Sequence, residues 1–366
     1  MFSAADHAFM AQALRLAELG LWTTSPNPRV GCVLVKDGQV VGEGWHQRAG
    51  EAHAEIHALL AAGASARGAS AYVTLEPCSH FGRTPPCAKA LIDAGVSRVV
   101  AAMQDPNPQV SGRGLAMLRD AGIEVACGLL ESEARELNIG FVSRMTRQRP
   151  WVRLKMAASL DGRTALANGQ SQWITGAAAR QDGHRWRARA CAILTGMGTV
   201  RDDDPQLSVR GVNTTRQPVR VVVDGQLAIQ SSARILDGGG TIIATAQEKG
   251  PRVDALRARG AEVCSLANAV GRVDLPRLLA LLAQRGINEL HVEAGRGLSG
   301  ALFAAGLVDE LLLYMAPCLL GSEARGLVDL PALASLTEKL ALKTCDVRML
   351  GDDLRVRARV VPAQAR

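Results

Sequence analysis

Four residues in the first quarter of the chain combine into one chemistry: His53, Glu55, Cys78 and Cys87. One imidazole and two thiolates are borderline-to-soft ligands that suit zinc and leave a position for water. Zinc lowers the pKa of such a water towards neutrality. A carboxylate that is not itself a ligand can then take the water's proton and pass it to a departing amine. His53 and Glu55 are two residues apart, about 200° around a regular helix, so both reach one metal only across a loop–helix junction. Two other readings stay open at this point. His-x-Glu is common by chance, and His80 offers a fourth ligand for a purely structural zinc.

A second group is Gly295-Arg296-Gly297-Leu298-Ser299-Gly300, which follows an apolar run and precedes a helical one. A glycine turn feeding a helix start offers backbone N–H groups and a favourable dipole to a phosphate. As a Rossmann fingerprint it is poor, because no acid stands about 20 residues on and it falls late in its half of the chain.

The elements that must carry these residues can be read from spacing. Ser3 and Asp6 form a candidate capping box ahead of a helix that runs to Gly20. Arg29–Lys36 and Gln39–His46 read as strands joined by an Asp37-Gly38 hairpin turn. Helices are predicted at His53–Ala62, Pro85–Ala94 and Gly114–Ala121, with strands at Ala69–Leu75, Arg98–Ala102 and Glu124–Cys127. His53 and Cys87 thus both fall at helix starts, where the dipole favours a thiolate. The polar stretch 144–150 reads as a linker. Beyond it the alternation resumes, with strands from Trp151–Ala157 to Leu354–Val361 and helices at Ala177–Arg189, Pro251–Arg259 and Leu275–Gln284. Strands alternating with helices predict α/β domains.

The length of 366 residues suits two domains, and 48% hydrophobic with 21% charged residues is a globular composition. Aromatics make up only 3%, few for stacking on single-stranded nucleic acid. The best apolar stretch, Leu278–Ala283, is closed off by Arg277 and Arg285, far short of a membrane span. The first ten residues lack a basic segment, which speaks against a secretory signal. Residues 1–149 hold 14 basic and 14 acidic side chains, whereas residues 150–366 hold 28 and 21, so the whole charge of +7 lies in the second part. That part is suited to anions such as phosphates. Without an export signal the eight cysteines point away from a disulfide framework. Cys32, Cys127, Cys191, Cys264, Cys318 and Cys345 are expected as small buried hydrophobes.

The run Pro77-Cys78-Ser79-His80-Phe81-Gly82-Arg83-Thr84-Pro85-Pro86-Cys87 resembles the deaminase signature of the bifunctional riboflavin-biosynthesis deaminase–reductases. Its eight residues between the cysteines replace the two of other zinc deaminases. Pro26–Gly31, Ala49–Glu55 and Met103–Pro108 agree, and Lys155–Arg163 with Ser171–Thr175 resemble that family's reductase half. The resemblance implies a cytidine-deaminase-like three-layer α/β/α domain over residues 1–146 and a dihydrofolate-reductase-like α/β domain over 150–366. It implies zinc on His53, Cys78 and Cys87, with Glu55 as the catalytic proton shuttle. Asn27, His46, His80 and Arg83 would line the deaminase pocket. Ala157, Trp173, Thr199, Asp203, Gly225 and the loop Gly295, Arg296, Gly297, Leu298, Ser299, Gly300 and Ala301 would bind NADPH. Ser171, Arg187, Leu207, Arg210 and Glu293 would bind the reductase substrate, Arg187 and Arg210 as phosphate clamps. Asp203 is the candidate proton donor. The implied reactions are hydrolytic deamination of a phosphoribosylaminopyrimidine and NADPH-dependent reduction of its ribosyl chain. A cytoplasmic homo-oligomer with a small-molecule substrate, and no nucleic-acid or membrane partner, is expected. The alternative is a nucleic-acid base deaminase whose basic C-terminal half positions the polynucleotide.

Overall fold

In the computed structural model residues 1–79, 86–108 and 110–361 are described. The chain divides into two compact units, Met1–Arg149 and Pro150–Arg366. The first runs α1 (Ala4–Glu18), β1 (Gly31–Lys36), β2 (Gln39–Trp45), α2 (Ala54–Ala62), β3 (Ser70–Val73), α3 (Cys87–Asp93), β4 (Arg98–Ala101), α4 (Arg113–Asp120), β5 (Glu124–Cys127), α5 (Glu131–Leu137) and α6 (Ile139–Arg147). Its sheet has the order β2-β1-β3-β4-β5, with β3, β4 and β5 parallel and the β1 pairings antiparallel. Strand alternation builds three layers. Cys32 and Leu34 of β1 face a core shared with α2, α3 and α4, while Val33 and Val35 face one shared with α1, α5 and α6.

Local chemistry explains the ends of these elements. Ser3 and Asp6 close the capping box on α1, and Asp6 also accepts hydrogen bonds from Tyr72 Oη at 2.7 Å and Arg98 Nη1 at 2.7 Å. Asp37 and Gly38 both adopt positive φ in the hairpin turn, with Lys36 opposite Gln39. The stretch 144–150 is not all linker. Arg144–Arg147 form the last turn of α6, because Phe141, Val142 and Met145 bury a face that the polar residues only flank. Of the cysteines expected inside, Cys32 and Cys191 are buried, but Cys127 and Cys345 are exposed where their strands turn a face to solvent.

The second unit runs β6 (Trp151–Ser159), β7 (Arg163–Ala165), α7 (Ala177–Arg189), β8 (Ala192–Gly196), α8 (Met197–Asp203), β9 (Val219–Val223), β10 (Thr241–Thr245), α9 (Pro251–Ala258), β11 (Glu262–Ser265), α10 (Leu275–Gln284), β12 (Glu289–Val292), α11 (Arg296–Ala304), β13 (Glu310–Ala316), β14 (Arg325–Gly326), β15 (Leu342–Leu350) and β16 (Asp353–Val360). Its nine-stranded sheet has the order β11-β10-β9-β8-β12-β6-β13-β16-β15. The first seven strands in that order are parallel; β16 and β15 close the edge antiparallel. Buried charge locks the middle of this sheet. Arg153 of β6, 1% exposed, reaches Glu310 of β13 at 2.6 Å and Glu289 of β12 at 3.0 Å, and its guanidinium stacks on Trp186 at 4.4 Å. Arg189 and Arg359 add a second cation to each acid. Three adjacent strands are so fixed in register, and their carboxyl ends deliver Ala157, Glu293 and the loop after it.

Candidate active sites

His53 is the N-cap of α2 in extended conformation, and Glu55 lies one residue into the helix beyond Ala54. The junction demanded by their spacing is therefore present. Cys87 opens α3, and its N–H donates to Cys78 Sγ at 3.3 Å. His53 Nδ1 lies 3.6 Å from Cys78 Sγ and 3.3 Å from Cys87 Sγ, and the three ligand atoms all lie within 4.8 Å of one another. Among the described residues no fourth histidine, cysteine or carboxylate joins them. Two sulfurs and one imidazole nitrogen, converging at two helix starts with one position open, fit zinc. Hydrogen bonds from the Cys87 thiol, then from His53, hold the Cys78 thiol well below the usual thiol range, so one thiolate is already favoured.

Glu55 is 3% exposed, and burial pushes its carboxyl up to about 7. A bound dication would favour the ionised form, which would leave Glu55 as a carboxylate able to accept a proton. His46 is buried, with Nδ1 at 3.0 Å from the Ala52 carbonyl, Nε2 at 3.1 Å from the Asn27 amide, and its ring edge-on to His53 at 5.3 Å between centroids. Burial lowers its pKa, so it stays neutral, donating from Nδ1 and accepting at Nε2. Asn27 and His46 thus stand beside the metal ligands. His80 and Arg83 lie outside the described residues.

Sequence reasoning missed Glu76, two positions before Cys78. Its buried carboxylate accepts four backbone N–H groups: Asp105 at 3.1 Å and Gly112 at 2.9 Å on one oxygen, Gly114 at 2.8 Å and Leu115 at 3.4 Å on the other. It satisfies the start of α4 and ties that loop to the strand end carrying Cys78. Gly114 is required there, since a Cβ would lie 1.9 Å from the Pro77 carbonyl oxygen. A lone acid whose partners are 29 to 39 residues away leaves no periodic signal.

In the second unit Ala157, Thr199, Gly225 and Gly295 fall at or just after the carboxyl ends of β6, β8, β9 and β12, the edge where open parallel sheets bind ligands. Gly295 is the N-cap of α11 and has no side chain to cap it, so the helix start turns its first N–H groups towards any anion that binds there. A Cβ on Gly295 would meet nothing nearer than the Thr199 hydroxyl at 4.0 Å, so the α8 and α11 starts frame open space. Gly225 is similarly open, and Asp203 ends α8. This uncapped, glycine-lined edge fits a dinucleotide's phosphates. Most of the rest of the loop packs inward or pairs locally. Ser299 donates to the Ala294 carbonyl at 3.2 Å, Leu298 lies against Gly196, and a Cβ on Gly300 would lie 1.9 Å from the Asp329 carbonyl oxygen. Arg296 pairs with Asp329 at 3.2 Å, and Ala301 is exposed. Trp173, 69% exposed, carries Arg180 over its ring at 4.7 Å, and Ser171 is half-buried beside it.

Arg187 and Glu293 meet as a two-pronged pair at 2.5 and 2.8 Å. The guanidinium fork is thus occupied by a carboxylate, with the remaining nitrogen on the Ser208 carbonyl at 3.1 Å. Glu293 is held well below the usual carboxylate range despite burial, by Arg187 first among its partners. Leu207 turns its side chain into the core, leaving only its main chain to meet a ligand, whereas the Arg210 side chain is exposed.

Comparison with known proteins bears on both halves. Residues 3–103 match the family model of the cytidine and deoxycytidylate deaminase zinc-binding region, and residues 150–356 match that of the RibD C-terminal domain. The Escherichia coli riboflavin biosynthesis protein RibD is 51% identical over 362 residues, covering 95% of this chain and 98% of that protein. The chain belongs to the RibD family. The Acinetobacter baumannii RibD structure (form 1) superposes with a TM-score of 0.92 at 44% identity, covering 98% of this chain and 99% of that one. A Thermotoga maritima structure, described as a diaminohydroxyphosphoribosylaminopyrimidine deaminase/5-amino-6-(5-phosphoribosylamino)uracil reductase, gives 0.86 at 33% identity, with 98% and 99% covered. As a RibD protein the chain is a bifunctional enzyme of riboflavin biosynthesis, a zinc-dependent deaminase with a cytidine-deaminase-like fold joined to an NADPH-dependent reductase with a dihydrofolate-reductase-like fold. The polynucleotide-binding alternative for the basic half gives way to this reductase domain. Among the described residues no helix is long and apolar enough to cross a membrane.

Proposed function

We propose that this chain carries out two consecutive reactions, with deamination in residues 1–146 and reduction in 150–366. The first hydrolyses 2,5-diamino-6-(5-phosphoribosylamino)pyrimidin-4(3H)-one to 5-amino-6-(5-phosphoribosylamino)uracil, releasing ammonia. The second reduces the ribosyl chain to give 5-amino-6-(5-phosphoribitylamino)uracil. The observation that carries the reading is the convergence of His53, Cys78 and Cys87 beside buried Glu55 in a chain that also holds a complete reductase sheet.

His53, Cys78 and Cys87 hold zinc, which supplies the Lewis acidity that lets water ionise near neutral pH. Glu55 takes the water's proton and delivers it to the leaving amine nitrogen. Asn27 and the neutral His46 orient the pyrimidine, together with His80 and Arg83. In the second site Thr199, Gly225, Gly295 and the α11 start hold the phosphates of NADPH, which supplies the reducing equivalent. Ala157, Trp173 and Asp203 complete that cleft, with Asp203 as proton donor. Arg210 and the Leu207 main chain grip the substrate's phosphate end, while the Arg187–Glu293 pair and Ser171 flank its ribosyl part.

Glu55→Gln tests the division of labour. It is expected to abolish ammonia release, yet leave bound zinc and NADPH oxidation on the deaminated substrate intact. Loss of both activities together would defeat the two-site reading. We further propose a cytoplasmic homo-oligomer. All eight cysteines are free, and edge strand β15 exposes Leu342, Val347 and Met349, an apolar row suited to burial against a second copy. Sedimentation as a monomer at micromolar concentration would count against it.

A further inference from the structure

Helix α7 does more than supply Arg187. Gln181, His184 and Arg187, spaced three apart along one slanting ridge of the helix, each bind the main chain of the segment Ser208–Gly211. Gln181 Nε2 donates to the Gly211 carbonyl at 2.6 Å, His184 Nδ1 accepts the Arg210 N–H at 3.2 Å, and Arg187 Nη1 donates to the Ser208 carbonyl at 3.1 Å. The remaining peptide is held from the other side. Gln217 accepts the Val209 N–H at 2.8 Å and donates to the Val209 carbonyl at 3.3 Å. Leu207 and Val209 bury their side chains, so the segment is anchored at every position except the Arg210 side chain, which points outward. What these side-chain bonds give the segment is one fixed origin for a long, flexible cation.

His184 is the central rung and acts only as an acceptor through Nδ1, which requires an unprotonated nitrogen there. Its surroundings enforce that state. Burial, then the charges of Arg187 and Arg210, push its pKa down to about 4. Neither the metal-site chemistry nor the cofactor edge uses this side chain.

We propose that His184 is a positioning residue of the reductase: through its bond to the Arg210 N–H, with Gln181 beside it, it aims the Arg210 guanidinium at the phosphate end of the substrate. The inference rests on the reading that Arg210 meets that phosphate, and the experiment separates the two. The full-length enzyme is assayed for NADPH oxidation on the deaminated substrate as wild type, His184→Leu, His184→Asn, Gln181→Ala, Arg210→Ala and the His184→Leu/Arg210→Ala double variant. His184→Leu is expected to raise the substrate KM about tenfold, the size of one net hydrogen bond, with kcat and the KM for NADPH within about twofold. His184→Asn, whose side-chain oxygen can accept the same N–H, restores most of the affinity. Gln181→Ala, at an exposed position, shifts KM the same way by about threefold. In the Arg210→Ala background the His184→Leu effect disappears, because there is no longer a guanidinium to aim. A persistent tenfold penalty in that background, or a fall in kcat without a KM change, overturns the proposal. An unchanged KM in Arg210→Ala alone instead overturns the substrate reading beneath it.

Discussion

Glu76→Gln exposes how the deaminase site is held. The side chain keeps its shape and loses only its charge and one acceptor oxygen. Glu76 accepts two N–H groups on each oxygen, so either orientation of the new amide turns an NH2 towards two donors that cannot use it. Each buried donor left unsatisfied costs roughly 1–3 kcal/mol. The start of α4 also loses a complementary charge worth roughly 0.5 kcal/mol. After local relaxation we expect about 3 kcal/mol to be lost from the first unit, or about 150-fold in its opening equilibrium. Because a two-unit chain has no single unfolding midpoint, the readout must be local. Hydrogen exchange of the β3 and β4 amides serves, with about 150-fold faster exchange expected there and no change in β6, β12 or β13. Ammonia release should fall with zinc occupancy, because the loosened segment carries Cys78, while reduction of the deaminated substrate continues. Acceleration below about fivefold, with deamination intact, would refute the assignment of Glu76 as the anchor of that loop.

Three further outcomes follow from the geometry. Gly114→Ala places a methyl 1.9 Å from the Pro77 carbonyl oxygen, so the backbone at Cys78 must shift; zinc content and ammonia release should both collapse, as metal analysis and an ammonia assay would report. Asp6 is held below its ordinary value, chiefly by the Arg98 hydrogen bond, so its contribution to stability is fully present above about pH 4 and fades as the pH falls below that. Asp6→Asn should lower first-unit stability at pH 7 and flatten its acid dependence between about pH 4 and 2, measured by hydrogen exchange or acid titration. Arg187→Lys cannot reproduce the two-pronged bond to Glu293 and should reduce reductase kcat/KM by at least about tenfold, leaving deamination untouched.

What could be read from the sequence was whatever has a period or a short motif. The α1 capping box, the Asp37-Gly38 turn and the strand that ends at Lys36 are local, and they stand where spacing put them. The His53, Cys78 and Cys87 cluster was legible for a different reason: such residue types are rare enough that three of them, two at helix starts, carry their own evidence. The illegible parts are held from afar. α6 hid behind the polar composition of its last turn, and β15 is exposed over most of its length, so it shows no buried face. The Arg187–Glu293 pair spans 106 residues, and the α7 rungs bind main-chain atoms whose side chains say nothing about them. Reading the glycine loop as one cofactor motif also merged two jobs. Gly295 borders open space, while Gly300 exists to let backbone approach backbone.

The buried charges across β12, β6 and β13 bear on how this chain can diverge. Arg153, Glu289 and Glu310 pair where water does not reach, and Arg189 and Arg359 flank the two acids from the partly exposed rim. Removing Arg153 or either acid leaves a buried charge short of its partner, at a cost of roughly 3–5 kcal/mol, whereas exchanging the whole set for apolar residues can be close to neutral. Single steps away from the present arrangement are therefore steep, and only concerted ones are shallow. The five positions should be inherited as a single character, kept together or replaced together, even where the surrounding strands drift freely.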